Sequence, residues 1–260
     1  MIVTRRLVFG DDQSQSADVA WLWINSHDWS GWQVEVITAT APGTAPDDEI
    51  RPWDPRHPRE LRAAGDEVLV IHEEIAAEPQ RALAALSDRD LLVIGPKGRG
   101  FRKTVHLGST SETLMNDPPI PLVIARHGVP TTRALICADG STDCLGAIDA
   151  LCAMPWIDQV HVMVATVAER GIDADEVADA AASGLRAMTA SVRAEVLVPD
   201  HLPVAFSTRA MLLDAAERWE ADLVVLGTRG LSGFAAVRAG SIATSLAANA
   251  PCSVLMARAR

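Results

Sequence analysis

The chain has 260 residues, 48 % of them hydrophobic, and a formal net charge of −11, a length that suits one large domain or two of ordinary size. The charge divides as −6 before and −5 after residue 130, which argues against nucleic acid or an anionic membrane surface as a general partner. No apolar stretch approaches the ~20 residues needed to span a bilayer, and residues 1–10 lack the length and the small-residue cleavage pattern of a signal peptide, so a cytoplasmic location is expected.

In chain order, the first half predicts a short buried strand at 5–10 ending in Asp11-Asp12, then a helix at 16–26 that starts near a Ser cap. A strand at 32–40, a strand at 67–73 and a helix at 78–86 follow, with Pro79 suitably near a first turn. A strand at 90–94, a helix at 109–116 and a last strand at 121–125 complete the half. Between 42 and 65 stand Pro42, Pro46, Pro52, Pro55 and Pro58, a density that forbids a long helix and leaves room for a short one at 59–64 at most. That stretch reads as a surface excursion, with Ile50-Arg51-Pro52-Trp53 as a lid or docking peptide in the functional alternative.

The second half repeats the order. A strand at 134–138 leads to Asp139-Gly140-Ser141 and a helix at about 143–154. Strands at 159–165, 194–198, 222–226 and 252–256 alternate with helices at 174–190, 208–220 and 242–249. Strands alternating with helical patterns imply right-handed βαβ units. The expected fold is α/β: two tandem doubly wound domains, 1–130 and 131–260, each with a mostly parallel five-stranded sheet flanked by helices. The cysteines Cys137, Cys144, Cys152 and Cys252 form no CxxC pair and read as small buried hydrophobes in a reducing compartment.

One pattern occurs twice, 132 residues apart: Gly95-x-x-Gly98, nine residues, Gly108-Ser109, and Gly227-x-x-Gly230, nine residues, Gly240-Ser241. Each copy follows an acid-headed apolar run, Asp90 to Ile94 or Asp222 to Leu226, and opens a helix. A strand feeding a glycine loop and a helix N-terminus is a phosphate-binding arrangement, because backbone can approach the anion and free N–H groups face it. In an open parallel sheet ligands sit beyond the carboxyl ends of the strands, where the post-strand acids Asp11 and Asp139 also fall. A carboxylate there can accept from a ribose hydroxyl or an exocyclic amine; alone, it would read as a helix cap or turn residue. The first loop carries Lys97, Arg99, Arg102 and Lys103 with His106, the second only Arg229 and Arg238, so unequal affinities for a polyphosphate are expected.

The loops are not of the G-x-x-x-x-G-K-[ST] kind, and the G-x-G-x-x-G spacing of a dinucleotide site is missing. There is no G-x-S-x-G elbow, no HExxH and no metal-like His/Cys cluster. His72-Glu73-Glu74 reads as a polar strand edge. No catalytic residue and no metal ligand is assigned.

The repeated glycine pattern and the Asp-Gly-Ser turn resemble the universal stress protein family in its tandem two-domain form. The resemblance implies ATP or a related adenine nucleotide, alone or with Mg²⁺, at each glycine loop. It places Asp11 and Asp139 on the nucleoside and the backbone of Ala39 and Ala165 beside the adenine. Ile94, Gly95 and Gly98, with Leu226, Gly227 and Gly230, would cradle the sugar and phosphates, and Gly108-Ser109 and Gly240-Ser241 would close on the phosphates. The first half departs in having Asp12-Gln13 where the family often has Gly-Ser, and Pro96 after Gly95. The function expected is a stress-response sensor or adaptor with little or no hydrolysis. The halves would form an intramolecular pseudo-dimer through their last strands, with a further homodimer and a protein partner open. The alternatives are a slow ATP-hydrolysing or adenylating enzyme of related fold, and a ligand-free dimerisation module whose glycines serve loop packing alone.

Overall fold

The computed structural model describes residues 5–41, 59–61, 68–98, 107–169, 171–199, 204–230 and 239–259. The Ile50 to Trp53 segment, the loop residues Arg99, Arg102, Lys103 and His106, and Arg238 lie outside them. The chain divides into two compact units, Met1–Leu114 with Pro118–Val129, and Met115–Asp117 with Pro130–Arg260.

The first unit contains β1 (Arg5–Gly10), α1 (Gln15–Asn25), β2 (Trp32–Ala39), β3 (Val70–Ile75), α2 (Pro79–Ala84), β4 (Leu91–Ile94), all but the last two residues of α3 (Ser109–Asn116), and β5 (Leu122–Ile124). Its strands lie in the order β3-β2-β1-β4-β5, and every pair is parallel. The second unit contains β6 (Arg133–Cys137), α4 (Thr142–Cys152), β7 (His161–Val167), α5 (Ala174–Leu185), β8 (Ser191–Leu197), α6 (Val204–Arg218), β9 (Leu223–Gly227), α7 (Ser241–Asn249) and β10 (Ser253–Ala257). Its order is β8-β7-β6-β9-β10, again parallel throughout.

The central strands are apolar without alternation because both faces are covered. Leu91, Leu92, Val93 and Ile94 of β4 are all buried, as are Leu223, Val224, Val225 and Leu226 of β9. The first unit adds an aromatic cluster in which Trp29 stands edge-on to Trp32 with centroids 5.4 Å apart. The outer strands differ. Ile71, His72, Glu73 and Glu74 of β3 are exposed, and β3 spans 70–75 rather than the expected 67–73, since its register is set by pairing from Val34↔Val70 to Ala39↔Ile75. The apolar run Val68 to Ile71 overlaps only the start of β3, so on a half-exposed edge strand it does not mark the ends.

The acids that head the two repeats are structural. Asp90 accepts from the Arg6 N–H at 2.8 Å. Asp222 accepts from the N–H groups of Thr132 and Arg133 at 2.9 and 3.0 Å. Both tie the start of one strand to its neighbour, at the end away from the glycine loops.

In each unit the first strand has neighbours on both sides, β2 and β4 for β1, β7 and β9 for β6. The chain leaves β1 toward α1 and β4 toward α3, so the connections part at the carboxyl ends of adjacent strands and open a crevice there.

Candidate functional site

The strand registers align the halves residue by residue. Gly10 of β1 pairs with Ile37 and Ile94, and Cys137 of β6 pairs with Ala165 and Leu226. Counting on from those positions, Asp12-Gln13-Ser14 matches Asp139-Gly140-Ser141. Local geometry agrees. Gln13 has φ 59° and Gly140 φ 76°, both in the left-handed region. Asp12 Oδ1 accepts from the Ser14 N–H at 3.0 Å, as Asp139 Oδ1 does from the Ser141 N–H at 2.9 Å. Ser14 and Ser141 then cap α1 and α4, accepting from the N–H groups of Ala17 and Cys144, each at 3.1 Å.

The second oxygen of each Asp points to the middle glycine of the loop. A Cβ built on Gly98 would lie 2.7 Å from Asp12 Oδ2, and one on Gly230 would lie 3.1 Å from Asp139 Oδ2. The counterpart of Asp139 facing the loop is therefore Asp12, the neighbour of the expected Asp11.

Asp11 has a different task. It is buried, and its carboxylate accepts from Arg59 Nε at 2.8 Å and Arg59 Nη2 at 3.0 Å. Arg59 Nη1 lies 2.8 Å from Asp18 of α1, and the guanidinium carbon stands 5.6 Å from the Phe9 ring centroid. Burial works against the Arg59 charge, but the hydrogen bonds and charges of Asp11 and Asp18 outweigh it, so its pKa lies above the ordinary value. The Arg59 carbonyl oxygen is 3.1 Å from His72 Nε2 of β3. This pins one point of the proline-rich excursion to the sheet. In the second half Ala138, also buried, stands in the place of Asp11.

The glycines divide their work. A Cβ on Gly95 would meet the Ser16 carbonyl carbon and oxygen at 2.7 Å, and one on Gly227 would meet the Cys144 nitrogen at 2.5 Å and the Asp143 carbonyl carbon at 2.7 Å. The first glycine of each loop thus lets α1 or α4 pack on the strand end. The third glycine closes the loop: Gly108 N–H donates to Pro96 O, and Gly240 N–H to Thr228 O, each at 2.8 Å.

Beneath each loop a helix residue holds the residue two past the first glycine. In the first half Ser16 Oγ accepts from the Lys97 N–H at 3.1 Å. In the second, Asp143 takes that position and gathers more. Its Oδ2 accepts from the Arg229 N–H at 3.2 Å, Arg229 Nε at 2.9 Å and the Thr228 hydroxyl at 2.8 Å. Its Oδ1 accepts from Arg229 Nη2 and the Ala259 N–H, both at 3.1 Å. Burial opposes ionisation of Asp143, but Arg229, Ala259 and Thr228 outweigh it and hold the carboxyl below the usual carboxylate range. Arg229, expected as a phosphate contact, is committed to this carboxylate.

Two cavities of about 280 Å³ each open at these loops, near the lower end of small-ligand clefts, ~300 Å³. The first is lined by Asp11, Asp12, Ile37, Thr38, Ala39, Ile94, Gly95, Lys97, Gly98 and Ser109, among others. Gly108 packs behind Gly98 without lining it. The second is lined by all seven expected residues, Asp139, Ala165, Leu226, Gly227, Gly230, Gly240 and Ser241, and also by Val167, Glu169 and Thr208. The registers make Val167 the counterpart of Ala39, and Ile37 that of Ala165.

Asp12 was legible as the first residue of an Asp-x-Ser turn shared with Asp139. Arg59 and Asp143 carried no signal, since neither lies in the repeat. Among the described residues no group of three or more His, Cys, Asp or Glu could hold a metal ion. Cys137, Cys144 and Cys252 are buried; burial raises the Cys144 thiol to about 11.

The model for the "Universal stress protein family" matches residues 4–126 and 130–258. "Universal stress protein Sll1388" of Synechocystis is 51 % identical over 43 residues, which are 16 % of this chain and 28 % of that protein. A universal stress protein from Archaeoglobus fulgidus superimposes with a TM-score of 0.73 over 99 % of this chain and 100 % of its own, at 16 % identity, which establishes the fold. A universal stress protein in complex with cAMP covers 50 % of this chain and 98 % of its own, with 22 % identity and a TM-score of 0.39. The two family matches together span nearly the whole sequence, and the chain belongs to the universal stress protein family, with two such domains in tandem.

Proposed function

We propose that the chain is a nucleotide-responsive adaptor that binds ATP or a related adenine nucleotide in its two crevices and turns it over slowly or not at all. The observation that carries this reading is the duplicated cradle. In each half a carboxylate oxygen faces the middle glycine of the loop, Asp12 on Gly98 and Asp139 on Gly230, at the mouth of a cavity of about 280 Å³. Residues 1–130 and 131–260 are the two binding domains in this reading. The carboxylates hold the nucleoside, Ala39 and Val167 flank the base, and the loops with Ser109 and Ser241 receive the phosphates.

Slow turnover fits the geometry. Attack on a γ-phosphate needs an oriented water and a cation or metal to take up charge, and Arg229 is already paired with Asp143. Mg²⁺ would arrive on the nucleotide's own phosphates. Ligand binding would shift a loop and alter a surface read by a protein partner. The halves act as an intramolecular pseudo-dimer, with a further homodimer as a second level of assembly. A cytoplasmic setting suits the buried cysteines Cys137 and Cys144, and no described helix is long and apolar enough to cross a membrane. Mass spectrometry of small molecules released from purified protein, followed by calorimetry with ATP, tests the reading. An empty protein with no heat of binding for any adenine compound would refute it.

A further inference from the structure

The two cavities differ where a phosphate would meet charge. The residue beneath the loop is neutral Ser16 in the first half and anionic Asp143 in the second. Both accept the same loop N–H, from Lys97 or from Arg229. The consequence falls on the side chains of those loop residues. Lys97 lines the first cavity. Arg229 turns its guanidinium onto Asp143 and is not part of the second cavity's lining.

A second position differs in the same direction. Counting along the aligned strands β2 and β7, Glu169 takes the place of Ala41. Both line their cavities, and Glu169 accepts from the Thr208 hydroxyl at 3.2 Å. The second lining therefore presents the carboxylates of Asp139 and Glu169 with no cation among the described residues. The first presents Asp11 and Asp12 against Lys97, with Arg59 bonded behind Asp11. Unscreened carboxylates in a partly enclosed cleft disfavour each further negative charge on a ligand.

On the reading that both crevices take adenine compounds, we infer that the halves divide them by charge. The second half is built for a ligand with at most one negative charge, an adenine nucleoside or its cyclic monophosphate, and the first for a polyphosphate. Asp143 is the positioning residue of this selection, because it withdraws Arg229 from the site.

The test uses the full chain with one crevice closed at a time. Gly98→Val fills the first cavity; Gly240→Val fills the second. Calorimetry with adenosine, cyclic AMP and ATP is run on each. The Gly98→Val protein is expected to bind adenosine and cyclic AMP about tenfold or more tighter than ATP, and the Gly240→Val protein to show the opposite order. Adding Asp143→Asn to Gly98→Val frees Arg229 and is expected to improve ATP binding about tenfold, with adenosine affinity little changed. Should Asp143→Asn fail to fold, Glu169→Gln in the same background, which touches no loop residue, is expected to move ATP affinity the same way. ATP binding to the Gly98→Val protein as tight as adenosine overturns the inference while leaving the parent reading intact. Absence of all three ligands from the unmodified protein overturns both.

Discussion

Arg59 grips Asp11 through two hydrogen bonds of 2.8 and 3.0 Å inside the core of the first half. The pair joins the end of the proline-rich excursion to the turn that follows β1, and Asp18 of α1 shares the same guanidinium. Breaking a buried pair from one side strands the other charge, at a cost of about 3–5 kcal/mol. Arg59→Ala should therefore lower the stability of the first half by about that amount, read by denaturant unfolding. The Arg59→Met, Asp11→Leu double variant should recover much of the loss. Equal stability of Arg59→Ala and the unmodified protein would show that the contact does not hold the fold.

Asp12 and Asp139 should be interchangeable in role. Asp12→Ala with the second crevice closed, and Asp139→Ala with the first closed, should each weaken the cognate adenine ligand by about 1–3 kcal/mol, the cost of losing a charged hydrogen-bond acceptor. Asp11→Asn should change stability far more than affinity. Calorimetry alongside thermal melts separates the two effects, and an affinity loss confined to Asp11 would return the nucleoside contact to that residue.

Gly227 and Gly240 should fail in different ways. A Cβ on Gly227 would stand 2.5 Å from the Cys144 nitrogen, whereas one on Gly240 meets nothing nearer than the Thr228 oxygen at 3.8 Å. Gly240 also has φ −62°, open to any residue. Gly227→Ala should lower the melting temperature by several degrees, about 1–3 kcal/mol. Gly240→Val should keep the native circular dichroism and abolish binding at the second crevice. Unchanged affinity in Gly240→Val would remove the phosphate role from this loop.

Acid should loosen the second half through Asp143. Its folded pKa lies below the usual carboxylate range, so the stability it contributes is present above its unfolded value, about 3.9, and is lost as pH falls from there through the folded value. Asp143→Asn should flatten that part of the stability–pH curve while lowering stability at neutral pH. Superimposable acid limbs for the variant and the unmodified protein would contradict the assignment.

ATP turnover should stay far below the ~1–1,000 s⁻¹ of dedicated enzymes. A multiple-turnover assay on contaminant-free protein checks this. A rate above about 1 s⁻¹ that vanishes in Ser109→Ala or Asp12→Ala would identify an enzyme.

The periodicity of apolar runs and the spacing of six glycines determined the α/β fold, the tandem repeat and the loops at which a ligand would gather. Those signals are local: a buried parallel strand must be apolar throughout, and a close backbone approach must use glycine. Helix α3 begins at Ser109 and ends at Asn116, as its sequence indicates, because a glycine precedes it and a proline follows its last turn. That Asp12 and not Asp11 aligns with Asp139 is a matter of register, visible only in the pairing of Gly10 with Ile37 and Ile94 and of Cys137 with Ala165 and Leu226. The roles of Arg59 and Asp143 were likewise tertiary. Arg59 meets Asp11 across 48 positions and Asp143 meets Arg229 across 86, and side-chain pairing over such separations leaves no periodic trace in the chain. The same packing turned Arg229 from a candidate phosphate ligand into a structural ion pair, since a carboxylate buried beneath the loop requires a partner.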